Sequence, residues 1–456
     1  MRKRYGAVLL HISSLDSDFG TGTLGAPAHR FLDFLEKSGF CAWQMLPINP
    51  IGEGYSPYSS PSSFAGNPLF IDPVELFSEG LITQAELSYF CLPNDGRVSF
   101  EDVLYKNTNL LRTAFSRFQE NSDIKEFTER EKAWLLPYAA FMSYRSGFEK
   151  EYYLFEQFVF QRQWQKLRCS AKEKGISLIG DIPMYVSPEG SDVFSYPDIF
   201  NSDEVSGCPP DAFSSDGQLW GMPTYRWDKL KETDYSWWVL RLLRAAALFD
   251  TVRLDHFRAF EAYWAIPKSC ESAACGMWKK GPGIDFFRTV KKRVPDLDMI
   301  AEDLGFLTDE VFRLRDEAGL YGMRVFQFAD FSSDENIYLP HMYPASSVAY
   351  TGTHDNDTLA GFFSSCDEKT RRLAARYLDA EREADLVPLA ISAVWNSRSD
   401  IATAQIQDFL MLGSEARMNI PSKLNDANWR FRIKDEFLTE ELSESLFSLN
   451  RSAGRI

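Results

Sequence analysis

Short apolar runs that end in polar residues recur along the chain and predict eight β-strands. The runs cover residues 7–12, 42–48, 177–181, 251–255, 299–302, 323–328, 348–354 and 401–408. Between most of them, apolar positions repeat at the spacing of an amphipathic helix, over residues 27–38, 155–174, 237–249, 284–294, 308–318 and 368–378. Short strands that alternate with helices indicate a parallel sheet covered by helices. Eight of them predict the α/β class, as a closed (β/α)8 barrel.

Two long intervals interrupt this alternation. About 130 residues separate the second and third predicted strands, far more than an ordinary loop. Residues 78–158 in that interval are rich in charged helical patterns, such as 123–134 and 138–149, and predict a helical insertion between barrel segments 1–77 and 159–456. Residues 185–232 are rich in Gly, Pro, Ser and Asp with little periodicity. Because they follow the third strand, we expect a loop-rich lid over the barrel mouth. No separate C-terminal β-domain is expected.

Acidic residues end five of the eight predicted strands. They are Asp181, Asp255, Glu302 with Asp303, Asp355 beside His354, and Asp408. In an α/β barrel these strand ends form the active-site face. One such residue is best explained as the start of a loop or a helix cap. A ring of carboxylates costs free energy unless it is paired, so five together indicate catalysis.

Arg253, Asp255 and Glu302 form the most specific chemical pattern. Side chains alternate along a strand, so Arg253 and Asp255 point to the same side, and the guanidinium holds the carboxylate ionised and aimed. Glu302, at the end of the next strand, faces the same cavity. A carboxyl enclosed beside another carboxylate has a raised pKa, which suits a general acid. Carboxylates about 5–5.5 Å apart would fit retaining glycoside chemistry.

Two of the five histidines, His256 and His354, adjoin these acids. Both are candidates to hydrogen-bond substrate hydroxyls or neighbouring carboxylates. A metal site is not expected, because adjacent residues on a strand face opposite sides and each His-Asp pair would offer a shared site one ligand. A third acid, Asp355, joins Asp255 and Glu302. The chain lacks the Gly-x-Ser-x-Gly turn of serine hydrolases and a Gly-rich phosphate loop, so no cofactor is predicted.

Composition restricts the partners. The 456 residues include 49 Lys and Arg against 65 Asp and Glu, a formal net charge of −16. Without basic clusters, neither nucleic acid nor an anionic membrane is expected as a partner, whereas a neutral substrate is. The seven scattered cysteines predict a reduced, cytoplasmic protein with neither a disulfide framework nor a zinc site. Loop Trp and Tyr side chains, part of an aromatic content of 14%, are candidates for stacking on a flat or amphipathic ligand.

From about residue 6 to about residue 432, a series of long motifs occurs in one order. They are Ala-Val-Leu-Leu-His at 7–11, Trp-Gln-Met-Leu-Pro at 43–47, Ser-Pro-Tyr at 56–58, Phe-Ala-Gly-Asn-Pro at 64–68, Gly-Asp-Ile-Pro at 180–183, Pro-Pro-Asp at 209–211, Gly-Gln-Leu-Trp-Gly at 217–221, and the segments 252–258, 301–305, 350–358 and 413–417. The chain thereby resembles the 4-α-glucanotransferases of glycoside hydrolase family 77, within the α-amylase superfamily.

The resemblance implies a role for each site residue. Asp255 would be the nucleophile, Glu302 the acid/base and Asp355 the stabiliser of the transition state. The implied supporting residues are Arg253 and His354, which orient these groups, Tyr58 and Asp181, which line the same subsite, and Asp211, Gln218 and Trp220, at or near the lid. The implied reaction moves a segment of an α-1,4-glucan to the 4-hydroxyl of an acceptor, with maltooligosaccharides or glucose as partners, by a retaining double displacement.

Departures from the family pattern leave alternatives open. Ala212 follows the Pro-Pro-Asp motif in place of Tyr, Met222 replaces a common Asn, and residues 422–426 replace a Gly-containing turn. A missing lid ring would weaken acceptor stacking and admit water. An α-1,4-glucan hydrolase with the same three acids is therefore the main alternative, and a glucan-binding protein without catalysis is a second.

Overall fold

Eight parallel strands close a barrel in the computed structural model, which describes residues 4–210, 216–305, 307–421 and 425–456. The strands of these residues are β1 (Tyr5–Leu9), β2 (Ala42–Gln44), β3 (Ser177–Ile182), β4 (Phe200–Cys208), β5 (Gln218–Tyr225), β6 (Thr251–Leu254), β7 (Ala262–Pro267), β8 (Met277–Lys280), β9 (Asp298–Ala301), β10 (Tyr321–Val325), β11 (Ser347–Tyr350) and β12 (Ile401–Gln405). The barrel order is β1-β2-β3-β6-β9-β10-β11-β12, and β12 pairs with β1. The predicted (β/α)8 barrel is confirmed.

Helices connect the barrel strands at nearly all of the positions that the apolar periodicity predicts. The α-helices are α1 (Ala26–Lys37), α2 (Pro73–Ser78), α3 (Gln84–Phe90), α4 (Phe100–Arg117), α5 (Ser122–Ser146), α6 (Lys150–Glu173), α7 (Ser191–Ser195), α8 (Trp227–Glu232), α9 (Ser236–Leu248), α10 (Ile284–Arg293), α11 (Asp309–Ala318), α12 (Leu359–Ser365), α13 (Glu368–Leu378), α14 (Leu386–Asn396), α15 (Ile406–Phe409) and α16 (Glu440–Ser452). Each of the six predicted barrel helices corresponds to one of these.

Several strands end three or four residues before the predicted position. The second predicted strand extends to residue 48, but β2 ends at Gln44, and the seventh extends to 354, but β11 ends at Tyr350. Apolar residues beyond these ends, such as Met45 and Ile48, are buried in the connecting segments. Apolar character reports burial rather than strand geometry, so it overestimates strand length where loops cover the barrel mouth.

The predicted helical insertion, residues 78–158, contains α3 to α5 and the first turns of α6. The two helices expected at 123–134 and 138–149 are one helix, α5, with Pro137 inside it. Proline removes one backbone hydrogen bond and usually kinks or ends a helix. The buried side chains of Trp134, Leu135 and Tyr138 lie on both sides of it, and this packing keeps the helix continuous. The domain boundaries at 78 and 158 stay a prediction.

The predicted loop-rich lid is wrong in one respect, because residues 185–232 contain regular structure. β4 and β5 pair antiparallel there, and β7 and β8 extend them into a four-stranded sheet of order β5-β4-β7-β8. The partners β7 and β8 follow the fourth barrel strand, so the pairing is distant in sequence and leaves no local pattern. Residues 211–215, which include Asp211 and Ala212, lie outside the described residues.

The barrel closes at a seam between β1 and β12. Tyr5 pairs with Ile401 at the start of this seam. Arg455, fully buried after α16, donates hydrogen bonds to the carbonyl oxygens of Tyr5 and Asp400 at the same place. The barrel interior below the mouth is filled by the side chains of Ala7, Ala42, Ile179, Ile300, Met323, Val325, Val348, Tyr350 and Ile401.

The cysteines correct one expectation. Cys270 and Cys275 form a disulfide bond in the connection between β7 and β8, although none was predicted. Cys41, Cys91, Cys169 and Cys366 are thiols. Within the part of the chain that the structure describes, no helix is both long and apolar enough to cross a membrane.

Candidate active site

Arg253 joins two carboxylates at the mouth of the barrel. β3 and β6 are neighbours, and their register sets Asp181 opposite Arg253. The Arg253 Nη1 atom donates to Asp181 Oδ1 at 2.9 Å and to Oδ2 at 2.8 Å, and it lies 2.9 Å from Asp255 Oδ1. Although burial opposes its charge, Asp181 and Asp255 raise the pKa of Arg253 well above its usual value. A fixed cation therefore holds Asp255, whose side chain is 29% exposed, toward the mouth.

Glu302 follows β9, the next strand of the barrel, and is oriented by two backbone amides. His256 N donates to its Oε2 at 2.7 Å and Leu304 N to its Oε1 at 3.1 Å. Burial above all raises the pKa of Glu302 to about 8; Arg253 opposes this rise, and neighbouring Asp255 contributes to it. One carboxyl is thus neutral near pH 7 beside another that is ion-paired, an arrangement that separates acid from nucleophile.

Asp355 lies in the turn after β11, where the 413–421 segment fixes it. Asn419 Nδ2 donates to Asp355 Oδ1 at 2.6 Å, and Arg417 Nη2 donates to the Asp355 carbonyl oxygen at 2.6 Å. His354 Nε2 lies 3.5 Å from Asp355 Oδ1. The expected separation of neighbouring side chains to opposite faces is wrong here, because the strand has ended. Among the described residues, no group of three His, Cys, Asp or Glu has the arrangement of a metal site.

An aromatic stack forms the wall beside these acids. Ser56 caps a short turn by accepting a hydrogen bond from Tyr58 N at 3.2 Å, which points the Tyr58 ring across the mouth. The Tyr58 hydroxyl donates to Asp181 Oδ2 at 2.8 Å, and its ring stacks on His354 with centroids 5.1 Å apart. Trp429 packs against both rings, at 5.8 and 6.0 Å. Tyr58 thus contacts Asp181 and His354 contacts Asp355, two of the acids that the sequence placed at strand ends.

A second wall of the site is formed by Trp220 on β5. Its Nε1 atom donates to Gln218 Oε1 at 3.0 Å, and its ring meets His256 edge-on at 4.8 Å. Tyr185 lies 6.1 Å from the Trp220 ring. Burial lowers the pKa of His256 to about 4, so this imidazole is neutral. Gln218, Trp220 and His256 lie together as expected, whereas Asp211 lies outside the described residues.

The ring of acids at predicted strand ends divides into two groups. Asp181, Asp255, Glu302 and Asp355 meet at the mouth, but Asp303 and Asp408 are buried in structural contacts. Asp303 pairs with Arg315 and accepts from Met323 N. Asp408 lies in α15 rather than at a strand end and accepts from Thr351 Oγ1 and Leu359 N. A polar residue after an apolar run therefore does not by itself indicate catalysis.

The sequence interpretation missed four residues that complete the site: Tyr185, Arg417, Asn419 and Trp429. Arg417 ends one of the quoted motifs, and Asn419 stands two residues beyond it. Extending that motif by two residues would have brought Asn419 into the set of candidates. Trp429 and Tyr185 are among the loop Trp and Tyr side chains that were candidates for stacking, but nothing in the sequence distinguished these two from the others.

Comparisons with known proteins identify the family of the chain. The family model described as 4-alpha-glucanotransferase matches residues 10–152 and 148–439. The chain is 41% identical to a 4-alpha-glucanotransferase of Aquifex aeolicus, with 95% of this chain and 96% of the relative covered. It is 38% identical to that of Streptococcus pneumoniae, covering 100% and 98%.

Solved structures give the same correspondence. Amylomaltase from Streptococcus agalactiae, in complex with acarbose, superposes with a TM-score of 0.95 at 32% identity over 99% of this chain and all of that one. Amylomaltase from Corynebacterium glutamicum matches with a TM-score of 0.85 at 20% identity, covering 100% of this chain and 75% of that one. At that identity the second likeness concerns the fold alone.

Proposed function

The chain belongs to the 4-alpha-glucanotransferases of glycoside hydrolase family 77, and we propose that Asp255, Glu302 and Asp355 carry out its transfer reaction. One observation carries this assignment. An ion-paired Asp255 and a Glu302 whose pKa is raised to about 8 follow adjacent barrel strands. This pair supplies the nucleophile and the acid of a retaining mechanism.

In the first step, Glu302 donates its proton to the glycosidic oxygen while the Asp255 carboxylate attacks the anomeric carbon. The bond from carbon to the leaving oxygen breaks, and an ester between the donor glucan and Asp255 forms. The leaving glucan departs with the proton on its 4-hydroxyl. Arg253 forms an ion pair with the Asp255 carboxylate and aims it until the attack.

In the second step, ionised Glu302 takes the proton from the 4-hydroxyl of an acceptor, whose oxygen attacks the same carbon. The ester breaks, Asp255 is regenerated and Glu302 regains its proton. Two inversions give net retention. Asp355, fixed by Asn419, grips the sugar hydroxyls of the donor ring while positive charge develops on it.

The function rests on the acceptor being a glucan and not water. Trp220, with His256 and Tyr185 behind it, offers a ring on which an acceptor sugar stacks. A site that is covered in this way excludes water from the ester. The proposed partners are α-1,4-glucans and maltooligosaccharides as donors and acceptors, together with glucose. We propose a cytoplasmic location for this chemistry.

Maltotriose distinguishes transfer from hydrolysis. A transferase converts it to glucose and a ladder of longer oligomers while the number of reducing ends stays constant. A net rise in reducing ends that matches the loss of maltotriose would instead identify a hydrolase. Chromatography of the products and a reducing-sugar assay on the same samples give both quantities.

A further inference from the structure

Trp429 has an unusual backbone conformation and lies beside the aromatic stack of the site. Its φ of +68° lies in the left-handed region, which is rare for a bulky residue. Its side chain is 7% exposed, and its ring contacts Tyr58 and His354 as described above. A residue keeps such a backbone conformation only where its surroundings determine it strongly, and such positions cluster at functional sites.

Two kinds of contact lead from Trp429 to the carboxylates. Through its ring, it packs on Tyr58, whose hydroxyl binds Asp181, and on His354, which precedes Asp355. Through its backbone, Trp429 N donates to the Met418 carbonyl oxygen at 2.7 Å. That bond fixes the residue before Asn419, which binds Asp355. The ring route thus reaches Asp181 and His354, and the backbone route reaches Asp355.

The residue after Trp429 is anchored to the region between β2 and β3. Val98 N donates to the Arg430 carbonyl oxygen at 2.8 Å, and Arg430 Nη1 donates to the Val98 carbonyl oxygen at 2.8 Å. The Arg430 guanidinium also binds Glu101, at 3.0 Å from Nη2 to Oε1. Helix α4, which begins at Phe100, therefore supports the segment from behind while Trp429 faces the site.

We propose that Trp429 is a positioning residue for the donor half of the reaction. Its ring keeps the Tyr58–His354 stack at the geometry in which Asp181 and Asp355 grip the donor sugar, and it does so without touching the reacting atoms. The inference rests on the proposed function, because the donor side is defined by that mechanism. Misplacing such a stack by about 1 Å lowers turnover by up to about 100-fold.

Three substitutions at Trp429 distinguish the role of its ring from that of its backbone conformation. Trp429→Gly and Trp429→Ala both remove the ring, but glycine adopts a positive φ without strain and alanine does not. Trp429→Phe keeps a ring for the stack. As a matched control, Trp395→Phe truncates a buried tryptophan in α14, whose Nε1 binds Asn450 at 2.8 Å and whose ring packs on Phe40 and Phe409, away from the site residues' contacts.

We expect Trp429→Gly to be more stable to heat than Trp429→Ala, but both variants to lose the same amount of catalytic activity. Both should lose about 10- to 100-fold in kcat/KM for maltotriose as donor, while the KM for glucose as acceptor changes by less than about 2-fold. Trp429→Phe should retain activity within about 3-fold of the parent. Trp395→Phe should lower the melting temperature and leave kcat unchanged.

Two results would overturn the proposal. In one, Trp429→Ala and Trp429→Gly keep donor kcat/KM within about 2-fold of the parent. In the other, activity follows melting temperature across all four variants, which is what a purely structural role predicts. Neither result affects the maltotriose product profile of the parent enzyme, so failure of this inference and failure of the proposed transfer reaction remain distinguishable.

Discussion

The two walls of the cavity are built differently. On the wall that we assign to the donor, each carboxylate has a named partner: Asp181 binds Tyr58 and Arg253, and Asp355 binds Asn419. On the Trp220 wall, the contacts are mainly between rings. Two polar atoms there, Tyr185 Oη and His256 Nε2, are buried without a hydrogen-bond partner among the described residues.

The difference fits what each wall must do. A donor ring that becomes covalently bound has one productive geometry, which hydrogen bonds and ion pairs impose through their direction. An acceptor is a glucose in one turnover and a long glucan in the next. Ring contacts are less directional, so they accept both. Rigidity on one side and tolerance on the other is the arrangement that a disproportionating enzyme requires.

The largest loss of turnover should come from replacing the nucleophile on the donor wall. Asp255→Asn removes the nucleophile but keeps the size of the side chain, so we expect turnover of maltotriose to fall by about 10⁴-fold or more. Glucan binding, measured by calorimetry, should persist. Undiminished turnover would show that Asp255 is not the nucleophile, and a parent protein that binds glucan without turnover would be the non-catalytic alternative.

A smaller loss of turnover is expected when a hydrogen-bond partner of a carboxylate on the donor wall is removed and the nucleophile is kept. Asn419→Ala deletes the 2.6 Å hydrogen bond to Asp355, and kcat for maltotriose should fall by about 10- to 100-fold. Asn396→Ala is a matched control, because Asn396 Nδ2 binds only within its own helix region at Ser392. Equal kcat values for the two variants would argue against a rigid donor wall.

The pH dependence tests the acid. Glu302 must be protonated in the free enzyme, and its pKa is raised to about 8. The kcat/KM for maltotriose should therefore fall about tenfold per pH unit above that value. An α-maltosyl fluoride donor has a leaving group that needs little protonation, so its alkaline decline should be much weaker. The same decline with both donors would remove Glu302 from the acid role.

The smallest effect is expected on the other wall. Trp220→Ala should raise the KM for glucose as acceptor and the share of hydrolysis by about 3- to 10-fold, while donor kcat/KM changes little. Trp278→Ala is the control, since this ring lies on β8 of the same sheet and packs on Arg258 and Trp264. A donor-side loss in Trp220→Ala would mean that the two walls are not independent.

The barrel was predictable because its signals are local. Each predicted strand starts within two residues of the observed one, since apolar runs mark where the chain enters the core. The four acids at the mouth followed from those runs. The β4–β5–β7–β8 sheet did not, because its strands pair across the fourth barrel strand and so leave no local pattern. Likewise, Asn419 and Trp429 reach the site by tertiary contacts alone.

The seam between β1 and β12 has a consequence for biosynthesis. Tyr5 pairs with Ile401, and Arg455 secures the same place. A ribosome that has made β1 must therefore add almost the whole chain before the partner strand emerges. Until then one edge of the nascent sheet has unpaired amides and carbonyls, a template for pairing with other chains. We expect the growing chain to depend on chaperones until closure.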